Sequence, residues 1–586
     1  MLRCETEKLV PETGLSMHGV PRLTAGFSHY PYINPDAPRG GTVTLAFHNI
    51  FDSLNPYIIL GSAPDAAQKF VLQSLMTRSL DEPFTLYALI AQSYEMPDDR
   101  SYIVFNLNKE ACFSDKVPLT AKDVAFSFSM LKTKGKPFYR SSFKQVKDVI
   151  ILDEHRIQFD LSESDNRELP LILATMPVFA SHTLNEDDFA TPSLKAIIGS
   201  GPYIFKSIDP GNRIELIRNP HFWAGNLPVS KGVYNFDKII YQFYREASSL
   251  FESFKALRYD WRIETDPGRW VMGYDIRPVR EGLIRKETIP VSIPYGMTGF
   301  VFNTRNPLFQ NINIRKALAS VFDFQWINKN LYYGTQKRAN SYFSGSTLSA
   351  SGIPANEHER SLLAPFMDEI EKDIMEGKWF PPEPDSSHYT DREIIRNAFS
   401  LLKTEGWKFK DGALIHEQTG KMFEFEIMVA TLEQERLAMN YASSLARLGI
   451  KAHIRRVDDV QFWRRASRFE FDMIQRTWTG SLSPGNEQRN RWSSTAADQK
   501  GSLNYAGIRS PGVDNMIEKL LAAQTREEFV DIIRALDRLL LSGHYVVPLF
   551  YTPDQWVAYN SDLKHPSKIP LLGAPIEIWW RKTDSQ

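Results

Sequence analysis

The chain has 586 residues, 42% hydrophobic and 24% charged. That is the balance of globular domains, with room for two to four cores of about 100–200 residues each. A formal net charge of -1 argues against a nucleic-acid binder that works by neutralising phosphates, and no apolar run reaches the roughly 18–20 residues that span a bilayer.

The first residues, MLRCETEKLVPETG, hold no apolar segment of the secretory kind. Either the protein is cytoplasmic or a leader is missing from this sequence. Cys4 and Cys112 cannot form a four-cysteine zinc site; they are either unrelated thiols or one disulfide tying an N-terminal arm to the body. HYPYINPDAP reads as part of that extended arm. GGTVTLAFHN (40–49) alternates apolar and polar residues, as do SYIVFNLN (101–108) and HRIQFDLS (155–162), so each predicts a half-buried strand. PLTAKDVAFSFSMLKTKG (118–135) predicts a helix with Thr120 as N-cap and Gly135 as its stop. Further helices are expected over 313–334 (a pair), 391–407, 432–449 and 513–543, several with Gly stops. Strands at 423–430 and 451–457 flank the third of these, a β-α-β order that predicts a parallel pair with a crossover helix. Strand-like HYVVPLFYT (544–552) follows the last helix.

Nothing spells a catalytic site. HExxH, GxxxxGK[ST] and GxSxG are absent. GSGPYIF (199–205) runs into Pro202 and a strand, so it offers no helix N-terminus to a phosphate. The histidines, including His48, His155, His182, His221, His388, His416, His453 and His544, show no metal-ligand spacing. The acidic clusters DEP (81–83) and NEDD (185–188) read as solvated. No catalytic residue, metal or cofactor is assigned, which points toward binding.

One set of phrases is informative through its order: GGTVTLAFHNIFDSLNPY, AQSYEMPDDRSYIVFNLNKEACFSDKVPLTAKDVAFSFSML, GSGPYIFKSIDPGNRIELIRNPHFWAGNLPVSKGVYNFDKIIYQFYRE, GFVFNTRNPLFQNINIRKALASVFDFQWINKNLYYG, LARLGIKAHIRRVD and FDMIQRTW. From about Gly40 to Pro548 the chain resembles the solute-binding proteins of dipeptide/oligopeptide ABC importers. WAGNLPVSKGVYNFDKIIYQFYRE, FDFQWINKNLYYG, NSYF (340–343) and FSHYPYINPDAPRGG are most similar to the YejA branch, which serves a peptide and microcin C-like uptake system of Gram-negative bacteria. The resemblance implies an α/β, two-lobed periplasmic binding protein fold of type II, cluster C-like, with an additional inserted domain. It implies an arm at 1–19, a first lobe from 20–50, 195–295 and 545–586, an inserted domain at 51–194 and a second lobe at 296–544, with crossovers near 290–298 and 540–550. It further implies a monomeric periplasmic protein without enzymatic activity. Such a protein would capture peptides, or microcin C-like conjugates, in a cleft between the lobes and deliver them to inner-membrane permease subunits. The alternatives are another solute (a sugar, a nickel chelate, a peptidyl-nucleotide) or a secreted hydrolase.

RTWTGSLSPGNEQRNRWSS, Arg476 to Ser494, is then the candidate site. Pro484 and Gly485 break regular structure, so the stretch reads as a loop with two large aromatic surfaces. The resemblance places it on the ligand-facing side of the second lobe, with Trp478, Thr479, Gly480, Ser481, Asn486, Arg489 and Trp492 as ligand contacts. The other reading is a solvent-facing loop whose tryptophans fold inward as core. Asn49, Phe51, Ser74, Met76, Tyr295 and Met297 are the remaining candidates. Related oligopeptide binders carry an aspartate a few residues after the tryptophan, which holds the peptide α-ammonium. Here Ser481 stands at that place, leaving Glu487, Asp81 and Glu82 as substitutes.

Overall fold

The computed structural model describes residues 10–48, 50–162, 166–383 and 390–582. The chain forms two compact units, Met1–Val291 with Asp554–Gln586, and Ser292–Pro553.

The first unit is built on a seven-stranded sheet. Its order is Ile284–Pro290, Asp554–Asn560, Trp261–Glu264, Thr42–His48, Lys238–Tyr244, Arg213–Arg218, Tyr203–Asp209. Thr42–His48 behaves as its alternation predicts: Val43 and Leu45 are buried while their neighbours are not. It runs parallel to Lys238–Tyr244, so the long stretch between them is a crossover. A separate antiparallel sheet orders Ala91–Glu95, Tyr102–Leu107, Arg156–Leu161 and Val146–Asp153. Helix Ala121–Lys134 packs on it. The Thr120 N–H donates to Asp123 Oδ2 at 2.9 Å, and together the two residues form a capping box.

The second unit is built on a five-stranded sheet of order Lys451–Arg456, Glu424–Val429, Met473–Trp478, Met297–Phe302, Val546–Pro548. Alternation along Met297–Phe302 divides two cores: Met297 and Val301 enter one, Phe300 and Phe302 the other. The two strands around helix Leu432–Ala446 are parallel, as their order predicts. Val546–Pro548 pairs with Met297–Phe302, and Phe550–Tyr551 pairs with Lys337–Arg338. Residues 545–553, which the expected boundaries gave to the first lobe, are therefore bound by sheet hydrogen bonds into the second unit, and the chain returns to the first unit at Asp554.

Helix Arg526–Ser542 is the spine of this unit, with eleven of its residues buried. Arg538, fully buried, donates from Nε to the equally buried Glu359 at 2.7 Å, and from Nη1 and Nη2 to the carbonyls of Ile374 and Ile353. Asp537 beside it accepts from Ser341 Oγ at 2.7 Å and from the Tyr342 and Ala350 N–H groups. Just past the helix, His544 Nε2 lies 2.7 Å and Lys316 Nζ 2.5 Å from the same Glu371 oxygen. Partial burial pushes the Glu371 carboxyl up, but the hydrogen bonds and the lysine charge outweigh it and hold the pKa down at about 2. A depressed carboxylate stabilises the fold above its unfolded pKa, and that contribution is lost as pH falls through the folded value. Glu371→Gln is therefore expected to cost on the order of 2 kcal/mol at pH 7. In urea titrations the gap to the parent should close between about pH 4.5 and pH 2; a gap that stays constant with pH would show that the carboxylate charge is not what stabilises this corner.

Candidate ligand site on the segment after Trp478

Strand Met473–Trp478 pairs antiparallel with Met297–Phe302, placing Trp478 opposite Met297. The backbone beyond the pair is crowded. Gly296 has φ +76°, and a Cβ there would sit 1.8 Å from the Trp478 carbonyl oxygen; a Cβ on Gly480 would sit 2.4 Å from the Pro294 carbonyl oxygen. Only glycines let residues 294–296 and 478–480 lie together.

Both tryptophans point inward. Trp478 is 3% and Trp492 2% exposed, and their ring centroids are 4.7 Å apart. Tyr505 lies 5.9 Å from Trp478, and Tyr342 meets Trp492 edge-on at 5.1 Å. Each indole N–H has a partner: Trp478 donates to the Leu503 carbonyl at 2.9 Å and Trp492 to Gln488 Oε1 at 2.7 Å. The rings join the second unit's core, the second of the two readings of this stretch, and nearly all of their apolar area is covered by protein. The segment is also less of a loop than Pro484 and Gly485 suggest. Glu487–Trp492 is helical, with Glu487 accepting the Gly485 N–H at 3.0 Å and Gln488 bonded to Trp492 four residues on.

What stays outward is the short run after the strand. Thr479 is exposed, and Gly480 and Ser481 are half-buried. Among the described residues the N–H groups of these three donate no hydrogen bond. The Thr479 carbonyl accepts from Arg491 Nη1 at 2.9 Å, and Ser481 Oγ accepts from the Ser483 N–H at 3.1 Å. Arg491 was not among the sequence candidates, although it lies in the same stretch; burial lowers its pKa, with Glu487 opposing. Arg489, which was, forks onto Glu518 with both side chains exposed. Two arginines two residues apart on one short helix look alike in sequence, and only the fold separates them.

The remaining candidates divide between the units. Tyr295 is half-buried, donates its N–H to the Ser344 carbonyl at 2.8 Å and its hydroxyl to the Pro553 carbonyl, and stacks on Tyr551 at 4.6 Å. Met297 is fully buried. Asn486 precedes the Glu487–Trp492 helix without a side-chain cap bond. In the first unit, Phe51 is core against Phe243 at 4.6 Å, Met76 is fully buried, and Ser74 Oγ donates to the Met76 carbonyl at 2.7 Å. Asn49 lies outside the described residues, as does Cys4 of the possible disulfide. Of the three substitute acids, Glu487 folds back on Gly485 and Gln488. Asp81 pairs with Arg22 and Lys568, and Glu82 is buried, accepting from the Arg22 N–H and the Tyr87 hydroxyl. No group of three or more His, Cys, Asp or Glu among the described residues could hold a metal ion, and no helix among them is long and apolar enough to cross a membrane.

A mixed α/β chain of two units, entered and left through two connections, has the fold of the two-lobed periplasmic binding proteins. The chain belongs to the bacterial extracellular solute-binding proteins, family 5, whose model (the family's middle region) matches residues 85–500; proteins of this family are binders rather than enzymes. It is 44% identical to a binding protein of Brucella melitensis biotype 1, over 97% of this chain and 94% of that one. It is 38% identical to the peptidoglycan-binding protein YepA of Agrobacterium fabrum, over 99% and 96%. It is 34% identical to YejA of the same organism, named as a peptide-binding protein, over 97% and 93%, which sets it near the YejA branch. Two solved structures share the fold. The oligopeptide-binding protein AppA of Bacillus subtilis, in complex with a nonapeptide, has a TM-score of 0.63 at 19% identity, covering 94% of this chain and all of that one. NikA of Brucella suis, in complex with Fe(III)-EDTA, has a TM-score of 0.70 at 17% identity, covering 92% of this chain and all of that one. One fold thus serves a peptide and a metal chelate, so the ligand has to be argued from the site.

Proposed function

We propose that this protein is the periplasmic substrate-binding subunit of an ABC importer and that its ligand is a peptide. The observation that carries this reading is the run Thr479–Ser481, whose three N–H groups make no hydrogen bond among the described residues at the open end of a sheet strand. A peptide has an unpaired donor and acceptor on every residue, and a sheet strand's continuation can satisfy them without reading side chains. The peptide named for YejA and the nonapeptide of AppA support the same class.

A second, narrower reading is favoured by the missing acid. A buried ammonium needs a carboxylate, because an unpaired buried charge is very costly. The segment offers Ser481 and a Glu487 already occupied by Gly485 and Gln488. The site therefore suits peptides whose amino end is acylated. Stem peptides of peptidoglycan, joined through an amide to a lactyl group, are of this kind, in keeping with the name of YepA; formylated microcin C-like conjugates are too. Acetylating the N-terminus of a bound peptide is expected to change Kd by less than tenfold, about 1.4 kcal/mol. Calorimetry on matched free and acetylated peptides measures it. A hundredfold loss would assign the ammonium to another acid, with Glu487→Gln the first variant to make. Native mass spectrometry of the purified protein should release masses that fragment as peptides.

A further inference from the structure

We propose that the second unit carries a small-molecule site of its own, separate from the Thr479–Ser481 segment, which takes an uncharged, mainly apolar molecule bearing one hydroxyl or amide. The site is a half-open cavity of about 250 Å3 beside Val546–Pro548, an outer strand of the five-stranded sheet. Helices Ile312–Ser320, Thr390–Thr404 and Arg526–Ser542 supply its walls. Protein cores leave few voids larger than a water molecule, and an apolar cavity on the order of 150 Å3 already admits benzene. This one therefore has room for a substituted ring or a branched chain.

The walls define what fits. Trp379, Ala398, Leu401, Leu540 and Leu541 make most of the surface apolar. Two phenols, Tyr342 and Tyr545, also line the cavity, and among the described residues neither hydroxyl makes a hydrogen bond. Tyr342 is only 4% exposed. Neither phenol oxygen is among the buried polar atoms left without a partner, so both stay reachable from the cavity, where each can donate to or accept from a ligand. The charged groups cancel. Lys316 pairs with Glu371, and burial lowers the His544 pKa, with its hydrogen bond to Glu371 opposing. One cation thus balances one anion, and an ionic ligand would bring a net charge into an apolar wall. A hydroxyl or amide can instead accept from a tyrosine and donate to the second Glu371 oxygen, for which no bond is made among the described residues.

The test uses the full chain and 4-fluorophenol, followed by 19F line broadening. Saturable broadening with a Kd below about 10 mM is expected, unchanged by a saturating peptide. Ala398→Phe, which fills the cavity, should weaken it at least tenfold. Tyr342→Phe keeps the volume and the fold and should weaken it severalfold, so the proposal stays testable if Ala398→Phe does not fold. Absence of saturable broadening, or broadening that survives Tyr342→Phe and Ala398→Phe alike, would overturn it. Competitive displacement by peptide would also overturn it, by making the cavity part of the peptide site. The peptide reading is tested apart from this and stands or falls by its own measurements.

Discussion

Trp478→Ala is expected to lower the unfolding free energy by about 3–5 kcal/mol, the range for truncating a large aromatic in a closed core. The indole sits between Trp492, Tyr505 and Tyr342, and its N–H satisfies the Leu503 carbonyl. Alanine removes the ring and leaves that carbonyl without its donor. Trp478→Phe should recover much of the packing but not the hydrogen bond. Trp492→Ala should cost a similar amount, and the double variant less than the sum, because the two rings share one cluster. Urea unfolding of the four proteins measures this. If Trp478→Ala left stability within about 1 kcal/mol of the parent while weakening ligand binding by 1–3 kcal/mol, the ring would be a ligand contact after all.

The second large effect is expected at the buried pair Arg538–Glu359. Glu359→Ala leaves a guanidinium with no counter-charge in a site where neither side chain has any exposure; breaking such a pair from one side costs about 3–5 kcal/mol. Arg538→Met breaks the pair from the other side, leaving the Glu359 carboxylate without its counter-charge and the Ile353 and Ile374 carbonyls without a donor, and is expected to cost at least as much. Combining the two should cost less than Glu359→Ala alone. That non-additivity, read from a double-mutant cycle, separates a desolvated ion pair from two independent packing contacts.

The regular elements were legible because their periodicity was set by burial. Val43 and Leu45 alternate into the core, Thr120 and Asp123 start a helix with their own side chains, and the strands around Leu432–Ala446 pair in parallel as their order predicts. The second unit ends nine residues later than expected, at Pro553 rather than 544, since Val546–Pro548 reads as a strand without saying which sheet it joins. The candidate segment was harder for a physical reason. A tryptophan in sequence says only that a large apolar surface will be covered, not whether protein or ligand covers it. Trp478 and Trp492 are covered by each other and by tyrosines from distant parts of the chain. The sequence signal for what remains open, Thr479 to Ser481, is only their small size and their place after a strand. The paired carbonyls and arginines around them were not visible at all.

The claim that the ligand is a peptide is tested most directly by thermal melts of the purified protein against a library of peptides of two to ten residues, run beside sugars and metal chelates. A ligand that binds only the folded protein adds about 2.7 kcal/mol at one hundred times its Kd. Some peptides should raise the melting temperature saturably, acylated ones included, while sugars and chelates leave it unchanged. A shift with a sugar or a chelate and with no peptide in the library would contradict the account.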